Sequence, residues 1–169
     1  MAGSYRAVSG GSNGSCWGDN AQMGNTNSWC YRNRGVLHWV GRSGSLSASV
    51  ERVRSITDGT SNTIMVGEMH TKTRNRRRTF WAYSYTSYNQ SSIVWRQPRQ
   101  LIADYDRCGA IGGAGGWNTC KRGWGSFHSG GIIHFAFADG RVRGINININ
   151  MDVLHALASI QGDEVVGEF

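Results

Sequence analysis

The sequence predicts an α+β fold in which a mostly antiparallel β-sheet carries long Gly-rich loops and a C-terminal helix. Near the C-terminus, apolar and polar residues alternate around an Asp-Gly pair, which is the pattern of a β-hairpin. A stripe of apolar residues with helical spacing follows directly. The chain of 169 residues has 24 glycines and a single proline, which is typical of a loop-rich β domain and not of a helical bundle.

A chain of this length suits a single domain with one hydrophobic core, so residues 1–169 are interpreted as one unit. Residues 1–35 are rich in Gly, Ser and Asn and are predicted to be mainly loop, with one short strand over residues 4–11. So long a loop is uncommon in a compact domain. It indicates a functional surface, or a segment that another subunit orders.

The next part of the chain is predicted to alternate short strands with turns. A strand is expected over residues 35–40, and the polar residues 42–49 are expected to form a loop. The pair Asp58-Gly59 predicts a turn or a short helical turn, in which the Asp58 carboxylate could accept hydrogen bonds from the backbone that follows. We prefer this structural role to a ligand site, and we expect a buried strand over residues 63–67.

A run of basic residues then leads directly into a run of aromatic ones. On a strand, the aromatic residues at alternate positions of residues 80–85 would share one face. A basic cluster beside an aromatic ladder suits single-stranded nucleic acid or sugar. The same pattern also describes a solvated turn followed by a half-buried strand, which is the interpretation we favour. This basic-aromatic segment consists of Arg74, Arg76, Arg77, Arg78, Trp81, Tyr83 and Tyr85.

Residues 91–101 are predicted to contain one short strand, and residues 103–124 are predicted to be loop again. The four cysteines lie in such Gly-rich stretches. No two of them are three positions apart, so the Cys-x-x-Cys pattern of a zinc site is missing. An even number of widely spaced cysteines favours disulfides in an oxidising compartment. Three pairings are open, and we favour the one in which each bond closes a loop: Cys16 with Cys30, and Cys108 with Cys120.

The C-terminal hairpin is predicted to turn at the two residues Asp139 and Gly140, because Asp and Gly tolerate the positive φ of hairpin turns. A two-residue turn places Phe137 opposite Val142, on the apolar face. After Val142 the apolar pattern shifts by one position, so we predict a β-bulge at Gly144. The alternating apolar residues are Ile133, Phe135 and Phe137 before the turn, and Ile145, Ile147 and Ile149 after it.

A helix is predicted over residues 151–160, with Asn150 or Asp152 as its N-cap and Gly162 at its end. One stripe of this helix is apolar and is expected to lie on the sheet. The stripe consists of Val153, Leu154, Leu157 and Ile160.

The net charge of +7 favours acidic partners, namely nucleic acid, anionic lipid headgroups or acidic polysaccharide, without choosing among them. A soluble basic surface with no such partner is the interpretation we favour. No apolar run approaches the roughly 18 to 20 residues of a spanning helix, so no transmembrane segment is expected. The first residues also lack the features of a signal peptide.

Two stretches resemble a large prepilin-like, pseudopilin-type family of unknown function. Residues 53–68, VRSITDGTSNTIMVGE, resemble its segment ITDGTSNT-hydrophobic-GE. Towards the C-terminus, FHSGG, FAFADGRVRGI and ALASIQGDEVVGEF resemble the domain named for a His-x9-Asp-Gly pattern. The resemblance covers residues 36–169 in patches, and it implies a pilin-like sheet. The motif residues that it identifies are Asp58, Gly59, His128, Asp139 and Gly140.

Three departures from the family pattern stand out. Ten residues, not nine, separate His128 from Asp139. Gly144 occupies a position where relatives usually carry a bulky aromatic residue. Full-length members begin with a prepilin leader and a long apolar helix, and this sequence shows neither, so it is expected to be a head without its stalk.

The sequence contains no catalytic set, neither a Gly-x-Ser-x-Gly elbow nor His-Glu-x-x-His, so we do not expect an enzyme. On a strand His128 and His134 would lie about 20 Å apart, too far to share a metal unless the glycines fold back. His128 and Asp139 are therefore expected to be structural, and neither a metal nor a cofactor is predicted. A divalent cation such as calcium, held by loop carboxylates, is the weaker option. Its candidate ligands are Asp104, Asp106, Asp139 and Asp152.

The resemblance implies a structural subunit, a pilin- or pseudopilin-like head in an extracellular or envelope-associated bacterial assembly. Its partners would be other protein subunits, in a homo- or hetero-oligomer. The alternative is a binding module that grips acidic glycan or nucleic acid through the basic-aromatic segment. Nucleic acid is the less expected ligand, since no RNP-type, KH or finger motif is present.

Overall fold

The computed structural model describes residues 3–21, 29–43, 46–83 and 87–162. The strands are β1 (Tyr5–Ser12), β2 (Gly41–Ser43), β3 (Leu46–Ala48), β4 (Ile64–Glu68), β5 (Gln90–Val94), β6 (Ile132–Phe137) and β7 (Val142–Asn146). The α-helices are α1 (Trp29–Arg32), α2 (Tyr105–Ile111), α3 (Trp117–Lys121) and α4 (Met151–Ala158). The last seven residues of the family-like region, 163–169, lie outside the described residues.

Five strands form the main sheet in the order β5-β1-β4-β6-β7. The pairs β1–β4, β4–β6 and β6–β7 are antiparallel, and β1–β5 is parallel. Strands β2 and β3 form a separate antiparallel pair. The predicted α+β class, with a mostly antiparallel sheet and a C-terminal helix, is therefore confirmed.

The hydrophobic core lies between one face of this sheet and α4. Phe135 and Phe137 alternate into it from β6, where they pack in one cluster with Leu154 and Leu157 of α4. The helix begins as predicted, because the Asn150 side chain accepts the backbone N–H of Asp152 at 2.8 Å. It ends at Ala158, two residues earlier than predicted.

The β6–β7 turn has three residues, not two. The N–H of Phe137 donates to the carbonyl of Arg141 at 2.8 Å, and the N–H of Gly140 donates to that of Phe137 at 3.0 Å. Gly140 has a φ of 87°, the left-handed conformation that such three-residue loops need at their last position. The predicted two-residue turn is therefore wrong.

This turn also removes the predicted bulge. Val142 pairs with Ala136 and not with Phe137, so it points away from the core and is 62% exposed. The register then continues without a shift through the pair His134–Gly144. The extra residue of the turn causes the one-position shift in the apolar pattern that had suggested a bulge at Gly144.

Residues 35–40 form no strand, contrary to prediction. Their backbone groups bind loops and the edge of another strand: the N–H of Gly35 donates to the carbonyl of Ser9 at 3.1 Å, and that of Trp39 to Gly18 at 2.8 Å. The next residues, predicted to be loop, contain the β2–β3 pair. The polarity of those residues gave no sign of a strand, and among the described side chains of this small hairpin Ala48 packs into a core.

Residues 103–124 were predicted to be loop but contain α2 and α3. The Asp104 side chain caps α2 by accepting the N–H of Arg107 at 3.0 Å. Between the helices, the buried guanidinium of Arg99 donates to the carbonyls of Cys108, Ala114 and Gly116 at 2.9–3.1 Å. These contacts come from outside the segment, so its own composition does not reveal them.

Two disulfides tie the loops, Cys16–Cys30 and Cys108–Cys120, which is the pairing favoured from the sequence. Among the described residues there is no free cysteine. Two such bonds fit a protein of an oxidising compartment, either secreted or in the cell envelope. The helices that the structure describes are all too short or too polar to cross a membrane.

The aromatic strand predicted after the basic run is wrong over the residues that can be checked. Trp81 and Ala82 lie in a turn, and Phe80 bonds Tyr88 through its backbone N–H at 3.1 Å. Tyr85 lies outside the described residues.

Candidate functional site

Three side chains converge on the sheet face that points away from α4. Nε2 of His128 lies 3.0 Å from Oε1 of Glu68, and Nδ1 of His134 lies 3.2 Å from Oε2 of the same carboxylate. The two imidazole rings meet edge to face, with their centroids 4.8 Å apart. We call Glu68, His128 and His134 the His-Glu cluster.

Strand register places Glu68 and His134 side by side. Gly67 of β4 pairs with Phe135 of β6, so the next pair along this antiparallel ladder is Glu68 with His134. Both side chains then lie on the opposite face from Phe135, which is in the core. The backbone N–H of His134 also donates to Oε2 of Glu68 at 2.7 Å, which fixes the carboxylate.

His128 reaches the cluster because the chain reverses just before β6. Gly130 has a φ of 78° and Gly131 a φ of 67°, conformations that are strained for other residues. From the sequence, His128 and His134 are too far apart to share a metal unless the glycines fold back, and the structure shows that exception. The pair Gly130-Gly131 was the one sequence signal for this reversal.

Glu68 is the buried centre of the cluster. Burial alone would raise the pKa of its carboxyl group, but hydrogen bonds from the His134 backbone and from both imidazoles outweigh burial and lower that pKa. Only 4% of the Glu68 side chain is exposed, against 54% for His128 and 38% for His134. The carboxylate is thus held in place while both rings remain open to solvent.

His70 flanks the cluster but does not join it. Its ring packs on Phe127 with the centroids 5.0 Å apart, and its Nδ1 is buried without a hydrogen-bond partner in the part of the chain that the structure describes. Burial first, and then the positive charge of Arg78, lower the pKa of His70. His70 is therefore kept neutral beside the cluster.

The His-Glu cluster can act in two ways. As it stands, it is a hydrogen-bonded network in which a buried carboxylate holds two imidazoles. It also offers two nitrogen ligands and one oxygen ligand, whose atoms all lie within 4.8 Å of one another. Among the described residues, this is the only group of three or more His, Cys, Asp or Glu side chains close enough to hold a metal ion. The sequence alone identifies neither Glu68 nor His134 as a site residue.

The two family-like stretches meet at this cluster, since Glu68 ends one of them and His128 begins the other. Asp139 lies at the other end of β6, where its Oδ1 accepts the N–H of Arg141 at 2.9 Å within the turn. Asp58 is bonded through Oδ2 to the far end of the described chain. That oxygen accepts from Ser159 and Gly162, beyond α4.

The carboxylates considered for calcium do not form one group. Asp104 caps α2, and Asp106 pairs with Arg74 at 2.9 Å. Asp139 shapes the hairpin turn, and Asp152 pairs with Arg96 at 3.0 Å.

The basic-aromatic segment is only partly available for binding. The guanidinium of Arg74 pairs with Asp106, and that of Arg77 stacks over Tyr105, 5.6 Å from the ring centroid. Trp81 and Tyr83 are half exposed. A shallow pocket of about 380 Å³ remains beside them. Its lining includes Arg76, Arg78, Phe80, Tyr83 and Tyr88.

In the comparisons with known proteins, one family model matches the part of the chain that carries these features. The model of a family described as "Protein of unknown function (DUF1559)" matches residues 1–152. This range contains the His-Glu cluster, the basic-aromatic segment and both disulfides. A search of curated proteins and a search of solved structures found no match.

Proposed function

This chain belongs to the DUF1559 family of proteins of unknown function, often pilin-like, and from that premise we propose that it is a structural subunit. In this proposal it is the pilin- or pseudopilin-like head of an assembly in the bacterial envelope or outside the cell. The resemblance to the His-x9-Asp-Gly domain supports this, as do the disulfide-tied loops.

One observation carries the proposal, namely the open face of the main sheet. By register, Tyr5, Glu68, His134, Ala136 and Val142 point away from α4. Tyr5 is 48% exposed and Val142 is 62% exposed, and Ala136 is half-buried. Exposed apolar side chains on one face of a sheet are typical of a protein–protein contact.

The test is the state of the native protein. Material extracted under mild conditions from the cells that make it should elute from size-exclusion chromatography in a complex, and electron microscopy should show a polymer or a multi-subunit particle. The Val142→Arg variant, expressed in the same cells, should leave that complex. The Val53→Arg variant is the matched control, because Val53 is 76% exposed in a turn outside the sheet. A native protein that elutes as a monomer contradicts the proposal.

The pocket beside Tyr83 supports a second candidate, the binding module for acidic polysaccharide. Arg76 is exposed and lines this pocket with aromatic rings, an arrangement that suits sulfated or carboxylated sugars. In a salt gradient on heparin, Arg76→Ser should elute earlier than Arg54→Ser, which removes one exposed charge from another turn. Equal elution of the two variants would mean that net charge alone causes retention. Replacing Arg74, Arg76, Arg77 and Arg78 together by Ser should abolish retention if the module exists.

A further inference from the structure

We propose that the His-Glu cluster is a binding site for one divalent transition-metal ion of the zinc class. The ligands are one imidazole nitrogen from each of His128 and His134 and the carboxylate of Glu68. This inference goes beyond a structural role and does not depend on it, since a monomer and an assembled subunit would both carry the three residues.

The distances in the cluster are close to those that such an ion requires. Zinc binds imidazole nitrogen and carboxylate oxygen at about 2.0–2.2 Å, so two ligands at tetrahedral positions lie roughly 3.3 Å apart. The nitrogen–oxygen distances here are 3.0 and 3.2 Å, and no two ligand atoms are more than 4.8 Å apart. Closing the longest separation requires a shift of about 1.5 Å. The half-exposed ring of His128 can supply it by side-chain rotation.

The ligand types select the class of ion. Imidazole nitrogen suits zinc, copper, nickel and iron, whereas calcium and magnesium prefer sets of oxygen ligands. Three protein ligands leave a fourth position for water, as in open zinc sites. The 54% exposure of His128 gives that position, and the entering ion, access to solvent.

Hydrogen bonds hold the Glu68 carboxylate and the backbone of His128 in place before an ion arrives. The N–H of His134 fixes Oε2 of Glu68 at 2.7 Å, and the N–H of His128 donates to Oγ of Ser126 at 3.0 Å. Such contacts orient ligands and raise the affinity for metal.

A second His–Glu pair in the same chain is closed to solvent and serves as a comparison. Nε2 of His38 lies 3.1 Å from Oε1 of Glu51, but only 1% of the His38 side chain is exposed. The guanidinium of Arg34 lies 2.6 Å from that same oxygen and neutralises the carboxylate. A cation has neither access nor free negative charge at that pair. Both are present in the His-Glu cluster.

The experiment measures zinc binding by the intact chain after chelator treatment, by isothermal titration calorimetry. The wild type should bind one Zn²⁺ per chain. His128→Ala and Glu68→Gln should each weaken binding at least tenfold, since each removes a ligand. His38→Gln is the matched control and should bind as the wild type does. Circular dichroism checks that each variant is folded. His128→Ala keeps the test valid if Glu68→Gln does not fold, because His128 lies on an exposed loop.

Bound Co²⁺ provides a second measurement, since a site with two nitrogen ligands should give visible absorption that His128→Ala loses. Three results would each overturn the proposal. One is a wild type that binds no Zn²⁺. Another is equal Zn²⁺ affinity in the wild type and His128→Ala, and the third is tighter saturable binding of Ca²⁺ than of Zn²⁺. The first two would leave the cluster as a hydrogen-bonded network alone, and the third would mean that the chain is not selective for an ion of the zinc class.

Discussion

The backbone N–H of Gly162 donates to Oδ2 of Asp58 at 2.8 Å, across more than a hundred residues of sequence. The hydroxyl of Ser159 donates to the same oxygen at 3.2 Å. Beside them, the backbone N–H and the hydroxyl of Thr57 both donate to the carbonyl of Ile160. The turn that precedes β4 therefore fixes the chain where it leaves α4. Thr57 and Asp58 of this turn hold the residues that follow the last helix.

Replacing Asp58 by Ala should destabilise the protein by about 1–3 kcal/mol, because it removes a charged acceptor and leaves the Gly162 N–H without it. Urea unfolding measures the change. Asp106→Ala is the control, since its ion pair with Arg74 is exposed and should contribute little to stability. Equal losses of unfolding free energy in the two variants would contradict the role of Asp58 in holding the chain after α4.

Replacing Arg99 by Met should loosen the segment between α2 and α3. The variant loses the donors that satisfy the carbonyls of Ala114 and Gly116, at a cost of roughly 3 kcal/mol in unfolding free energy. Hydrogen exchange should speed up first in residues 112–121. Arg107→Met, an exposed position on α2, should change neither quantity. If Arg99→Met exchanges like the wild type, the loop is held by its disulfide alone.

His155 should make the protein less stable in acid. It is buried against Trp29, and burial lowers its pKa from 6.5 to about 4, although Asp152 opposes the shift. As the pH falls below 6.5 the unfolded chain takes up a proton that the folded chain excludes until about pH 4. Stability is therefore greatest above pH 6.5, and the loss down to pH 4 amounts to roughly 3 kcal/mol.

The check is urea unfolding of the wild type and His155→Gln at pH 7.5, 5.5 and 4. Other carboxylates titrate in both proteins, so the difference between the two curves isolates His155. The wild type should lose more stability than the variant as the pH falls. Parallel curves would mean that the His155 ring is protonated as easily when folded as when unfolded.

Removing either disulfide should lower the unfolding free energy by about 3 kcal/mol, since the bonds close loops with sequence separations of 14 and 12 residues. The double replacement Cys108→Ser with Cys120→Ser tests one bond, and the equivalent change at Cys16 and Cys30 tests the other. Intact mass should rise by about four hydrogens on reduction of the native protein. A native mass unchanged by reductant would show that the cysteines are free in the cell.

The sequence predicted the elements whose signal is local. The alternation of β6, the helix α4 and the strand β4 follow from apolar spacing, and the cap at Asn150 follows from its side chain. It did not predict α2 and α3, because these short helices depend on Arg99 and on a disulfide. It also misjudged the turn at Gly140, since Asp-Gly suits hairpin loops of two residues and of three.

The candidate site was missed for a different reason. Glu68 and His128 are sixty residues apart, and each was interpreted within its own motif. Their meeting depends on the register of β4 with β6 and on a reversal at Gly130 and Gly131, both of which are tertiary properties. Distances along an extended chain therefore overestimate the separation of side chains wherever adjacent glycines adopt positive φ.

The position of β1 inside the sheet has a consequence for biosynthesis. This strand is made before any of its neighbours, yet it lies between β4 and β5, and β4 must itself wait for β6. A ribosome will have translated most of the chain before the sheet can assemble, so the nascent chain exposes a long unpaired edge in the meantime. Such a fold, dominated by non-local pairing, is expected to form slowly and to benefit from a chaperone.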